Sequence, residues 1–251
     1  MPKQTPSIVT LKQYFHHSSQ LVKFSIHRIM AAMHMHYTFH HELTKLHKKL
    51  LHLMAMVEER VRAAAEVIET MDINKIHQII NEDYMIDEME IEIEEDCLKI
   101  LALHQPVATD LRFIIAVIKI NNEMERIGDM AKNIAMRVEN ISKFHHAKAI
   151  SYDFSPMTEK VIAMLRTSVD SLIKRDSSLA KSVFLEDDTV DNFRDQCYQD
   201  IKARIKDDPE HPGYHINTYL LARHLERIAD RAVNIAEEVT YFVEGTITRF
   251  G

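Results

Sequence analysis

At 251 residues the chain is long enough to bury a sizeable core, as one large domain or two small ones. Four glycines, six prolines and no alternating β-branched runs exclude a β-rich or low-complexity chain and point to an all-helical one. A net charge of −7 argues against nucleic acid as a partner, and neither a membrane span of ~20 apolar residues nor a secretory leader is visible.

Residues 1–41 contain Lys3, Lys12, Lys23 and Arg28 but no Asp or Glu, so the other 210 residues carry −11. Residues 1–37 are set apart as an N-terminal extension. Ile8 to Ala32 predicts a weakly amphipathic helix, crowded by His16, His17, His27, His34, His36 and His40. A membrane-surface helix, a targeting presequence and an appendage from an upstream start all produce such a stretch, and Met30, Met33 or Met35 could each begin the protein.

Residues 38–146 are expected to form a three-helix bundle. Thr38 to Glu69 carries Leu43, Leu46, Leu50, Met54, Val57 and Val61 on one face. Asp72 can cap a second helix running to Leu103, with Ile79, Ile86, Ile93 and Ile100 at heptad spacing. His104-Gln105-Pro106 breaks it, and a third helix runs from Ala108 to Ile141. There Val117, Met124, Ala131 and Val138 alternate with Ile120, Ile127, Ile134 and Ile141 in an unbroken apolar seam. Residues 144–156 read as a linker. Residues 147–251 predict a second bundle from Met157–Lys174, Ser177–Ile205 and Tyr214–Phe242, the last two parted at Asp208-Pro209. Cys97 and Cys197 lack CxxC spacing and lie among helical apolar residues, as buried reduced thiols of a cytoplasmic protein would.

The bundles are copies. NNEMERIGDMAKNIAMRV (121–138) returns as ARHLERIADRAVNIAEEV (222–239), with Glu125, Arg126, Ile127, Asp129, Asn133 and Ile134 recurring at an offset of 101. Glu125 and Asp129, four apart on a helix, leave one face about 6 Å from each other, as do Glu226 and Asp230. The preceding helices carry Asp83/Asp87 and, 104 residues on, Asp187/Asp191. Folding the first hairpin at Pro106 brings positions 85 and 127, each 21 residues away, to one level, about 30 Å from the turn. Positions 189 and 228 are likewise level about 208.5. Each bundle thus gathers four carboxylates, which repel unless a cation joins them. Oxygen-only ligands suit magnesium, manganese or iron, and zinc less well. One such pair alone is ordinarily a solvated acidic face, and Arg126 and Arg227 are available as plain salt-bridge partners. Both His145-His146 and His211/His215 read as exposed loop residues. No ExxH, Gly-rich phosphate loop, GxSxG or HExxH occurs.

ALHQPVATDLRFIIAVIKINNEMERIGDMAKNIA (102–135) and HLERIADRAVNIAEEV (224–239) closely resemble the PhoU family of phosphate-uptake regulators, the resemblance covering about residues 38–251. It implies a cytoplasmic homodimer of chains built as two three-helix bundles, binding multinuclear clusters of iron, zinc, manganese or magnesium. The ligands it implies are Asp83, Asp87, Glu125, Asp129, Asp187, Asp191, Glu226 and Asp230. It implies no catalysis: the family couples the ATPase of a phosphate ABC transporter to a sensor histidine kinase, repressing the starvation response when phosphate is plentiful. Membrane association would be peripheral, through those partners. The competing expectation is a metal-dependent phosphohydrolase, two ions about 3.5–4 Å apart activating water, although no His or Lys stands within the motifs as a general base.

Overall fold

The computed structural model describes residues 8–144, 150 and 152–246, with side chains from residue 37 onward. Seven helices follow in order: α1 (Ile8–Thr70), α2 (Ile73–Asn81), α3 (Tyr84–His104), α4 (Ala108–Ser142), α5 (Ser155–Lys174), α6 (Ser177–Asp207) and α7 (Pro212–Glu244). The chain falls into two units, 1–45 and 46–251. The described part of the first is helical backbone, ending in a turn where the Thr44 hydroxyl donates to the His40 carbonyl at 2.8 Å. The second holds the whole bundle architecture. Sequence expectations on the side chains of residues 1–36, including five of the clustered histidines, and on His145-His146 lie outside the described residues.

In the second unit the helices form where the heptads place them. Every residue of the α4 seam from Val117 to Ile141 is buried, as are Ile79, Ile86, Ile93 and Ile100. α4 is buried nearly all round, and so is α7 through Leu221, Leu225, Ile228, Ala232, Ile235 and Val239. Helices apolar on every side belong at the centre. These two pack against each other antiparallel: Phe113 meets Phe242 at 5.4 Å between ring centroids, Lys119 pairs with Glu238 and Arg137 reaches Asn217. Ile127 and Ile228, equivalent in the repeat, are level with each other, so a pseudo-twofold axis passes through the crossing.

The repeat extends to the backbone. Met71 and Arg175, 104 apart, both take positive φ (52° and 51°), and the next residue caps a helix in each case. Asp72 accepts from the Asn74 and Lys75 amides, and Asp176 from those of Ser178 and Leu179. Cys97 and Cys197 are buried and free, and burial pushes both thiols up to about 12.

Three sequence expectations change. The first helix is continuous from Ile8, with no break near residue 37. The helix expected from Asp72 to Leu103 is interrupted at Glu82-Asp83. The cause is Arg60 on α1: its guanidinium takes the Ile79 carbonyl at 2.7 Å, which an unbroken helix would offer to the Asp83 amide, and reaches the Glu82 carbonyl at 3.4 Å. His215 is buried, not an exposed loop residue, because Asp208 bridges it (3.2 Å) and His211 (2.8 Å) at the start of α7.

Candidate metal centres in the two bundles

The first group of acids forms where α3 and α4 approach closely. Gly128 lies between Glu125 and Asp129 on α4, and a Cβ there would stand 3.0 Å from the Ile86 methyl of α3. The missing side chain lets the helices come together with Asp87 facing Glu125 and Asp129. Burial, then Asp83 and Asp129, push the Asp87 carboxyl above its usual range, and Lys132 eases it. Glu125 is raised by burial and then by Asp129, Asp87 and Glu90. Asp83 sits in the α2–α3 break, 4% exposed, bonded to Lys132 Nζ at 2.7 Å. Lys132 feels Asp129 and Asp87 as well, so its ammonium is the shared counterion of the group.

The second group repeats the acids with a different cation. Arg194 Nη1 bridges Asp191 Oδ1 (2.8 Å) and Glu226 Oε1 (2.7 Å), tying α6 to α7, and Arg223 adds a 2.8 Å bond to the same Glu226 oxygen. Glu226 is 7% exposed, and its other oxygen, Oε2, is buried without a partner. Asp187 is raised by burial, then Asp191, Asp188 and Glu226. Asp230 is pushed up to about 6 by burial, then by Glu226 and Asp187.

All eight carboxylates singled out in the sequence therefore lie in two groups of four, one per bundle. The cations that join them are Lys132, Arg194 and Arg223, not the Arg126 and Arg227 of the repeated phrase. Their signal was spacing: each stands three residues from a motif acid, Asp129, Asp191 or Glu226. As the side chains stand, no three Asp, Glu, His or Cys among the described residues are arranged to hold a metal ion. The donor chemistry nonetheless fits a hard cation: only oxygens, four carboxyls raised by burial and then by one another's charge, and an orphaned Glu226 Oε2. Binding would require Lys132 and Arg194 to swing aside.

The two bundles define a duplicated all-helical protein that carries one group of four carboxylates in each copy. The PhoU domain is matched twice, at residues 50–138 and 154–239, and the chain belongs to the PhoU family. Relatives include phosphate-specific transport system accessory protein PhoU homologues of Aquifex aeolicus, 35% identical over 209 residues, and Clostridium acetobutylicum, 31% over 208. These alignments cover 83% and 82% of this chain and 94% of each relative. The crystal structure of PhoU from Pseudomonas aeruginosa superposes with a TM-score of 0.79 at 33% identity, covering 83% of this chain and all of that one. The regulatory protein PhoU from Streptococcus pneumoniae gives 0.77 at 26% identity, covering 84% and 100%. The family is one of accessory proteins, so the chain is not an enzyme and the phosphohydrolase expectation is set aside. Among the described residues no helix is long and apolar enough to cross a membrane.

Proposed function

We propose that this chain is an accessory regulator of a phosphate-specific transport system, acting in the cytoplasm as a homodimer. It would couple the transporter's ATPase to a sensor histidine kinase and restrain the phosphate-starvation response when phosphate is plentiful. The observation that carries this reading is the duplicated carboxylate group set in a PhoU-family fold. Asp83, Asp87, Glu125 and Asp129 would hold a metal cluster in the first bundle, and Asp187, Asp191, Glu226 and Asp230 one in the second. Magnesium, manganese, iron and zinc are the candidate ions. When bound, the metal supplies positive charge that relieves carboxylate repulsion. The chain's own part is to hold the acids level and to release Lys132 and Arg194 to solvent or to a partner.

The experiment is deletion of the gene with a phosphate-starvation reporter in phosphate-replete cells, complemented by wild type or by Glu125→Gln with Asp129→Asn. Derepression on deletion, restored by wild type and not by the variant, supports both the regulatory role and its dependence on the acids. Unchanged repression in the deletion strain overturns the reading. Elemental analysis of the purified proteins decides the metal separately, since wild type should carry more metal per chain than the variant.

A further inference from the structure

A cavity of about 620 Å³ opens between α3, α4 and α7, and none of the eight motif carboxylates lines it. Glu90 and Glu94 reach it from α3, Glu123 from α4, and Glu237 and Glu238 from α7, against a single lining cation, Lys119. Two of these acids are already satisfied. Glu238 holds Lys119 Nζ at 2.8 and 3.0 Å, and Glu123 takes Arg231 at 3.2 Å and Asn234 at 3.3 Å. Glu90 and Glu94 have no such cation among the described residues, and burial followed by Glu94 raises the Glu90 carboxyl.

A second observation points to a ligand. Asn121, also in the lining, is 1% exposed. Its amide nitrogen donates to the Glu90 carbonyl at 2.9 Å, while its Oδ1 is buried with no partner. A buried acceptor left open is costly and calls for a donor.

The duplicated fold does not require these acids. Applying the 104-residue offset to α3, and the 101-residue offset between α4 and α7, gives the places equivalent to Glu90, Glu94, Glu123, Glu237 and Glu238. They are held by Arg194, Tyr198, His224, Met136 and Arg137. One side of the α4–α7 crossing is acidic and its pseudo-symmetric counterpart is not, so the charge belongs to this cavity alone. An ion with six waters takes roughly 180 Å³ at about 30 Å³ per water, less than a third of the space. The cavity therefore has the charge and the room for a cationic group larger than a hydrated ion.

We propose that this cavity receives a short segment of a partner protein bearing at least two Arg or Lys side chains, their cations meeting Glu90 and Glu94 and one N–H reaching Asn121 Oδ1. The identification of the occupant as protein rests on the adaptor role proposed above.

The test titrates the full chain, in EDTA at 0.15 M salt, with fluorescein-labelled hexa-arginine followed by anisotropy. Glu90→Gln with Glu94→Gln should weaken binding at least tenfold. Asp207→Asn with Glu210→Gln, which removes the same charge at exposed positions outside both acidic groups, should weaken it less than threefold. If the first double variant does not fold, Glu94→Gln alone, at an exposed position, must cost at least threefold. Equal losses in both double variants would show diffuse attraction and overturn the proposal. So would displacement of the peptide by spermidine at equal concentration, which would mark a small-polyamine site, or no binding by wild type below 1 mM peptide. Failure here leaves reporter repression by the wild-type gene intact, whereas failure of the adaptor role appears as normal repression in the deletion strain.

Discussion

Asp230 offers a quantitative check on the carboxylate groups. Its carboxyl is pushed up to about 6 from an ordinary 3.8 by burial and by the neighbouring Glu226 and Asp187. At about 1.36 kcal/mol per pH unit the shift corresponds to at most about 3 kcal/mol, and screening of a half-buried group reduces it to roughly 1.5 kcal/mol. The sign follows from linkage. Below 3.8 both folded and unfolded forms are protonated and the group contributes nothing. Between 3.8 and 6 the unfolded chain ionises first, so stability falls as pH rises, and above 6 the full penalty persists. Asp230→Asn keeps the shape and removes the charge. In EDTA at pH 8 it should raise the melting temperature by roughly 3–6 °C, at 2–4 °C per kcal/mol for a domain of this size. The gain should shrink steadily between pH 6 and pH 4.5. Manganese should then stabilise wild type more than the variant, reversing their order. Circular dichroism melts across pH 4.5–8, with and without metal, provide the measurement. A variant no more stable than wild type at pH 8 in EDTA, or a gain that does not depend on pH, refutes the reasoning.

Other expectations follow from the same packing. Gly128→Ala places a methyl 3.0 Å from Ile86; overpacking of about 1–3 kcal/mol, offset by about 1 kcal/mol of helix propensity, should leave a net loss of up to about 2 kcal/mol in denaturant melts, whereas Ala229, its counterpart in the repeat, already carries that methyl. Glu125→Gln with Asp129→Asn should keep the fold, since the Ile120–Ile141 seam is untouched, with a midpoint in urea no lower than wild type; a clear drop would mean the acids are structural. His224, held down to about 4 by burial and then by Arg137, Arg227 and Arg223, has both ring nitrogens buried without partners. Its folded pKa lies below the ordinary 6.5, so it costs stability only as pH falls below that value, and His224→Gln should flatten the acid side of the pH–stability curve, whatever constant offset the substitution adds at pH 8.

Much of the site was legible because helical periodicity and duplication are both arithmetic. The Ile79, Ile86, Ile93, Ile100 heptad and the α4 seam predicted the buried faces, and counting back from Pro106 put Asp87 level with Glu125 and Asp129. The Asp72 cap was legible in the same way, and its repeat at Asp176 lay at the offset already found for the acids. The break at Glu82-Asp83 was not, since local propensity favours helix there and the disturbance comes from Arg60, more than twenty residues upstream. Nor was the burial of His215, which depends on Asp208 reaching over the first turn of α7. The counterions were not legible because Lys132 and Arg194 act across helices, where sequence spacing reports only half the contact.

The Arg60 capture makes the two halves mechanically unequal. Asp187 stands within the uninterrupted α6, so a pull on its carboxylate is resisted by a continuous ladder of backbone hydrogen bonds. Asp83 sits at a joint where that ladder has been cut and one of its carbonyls handed to a side chain on α1. The same tug there bends the chain between α2 and α3 more easily, opposed by the Arg60 clasp and the Lys132 pairing. Two groups alike in their acids thus differ in stiffness, one hinged and one fixed. Charge gained or lost in the first half is converted to displacement more readily than in the second.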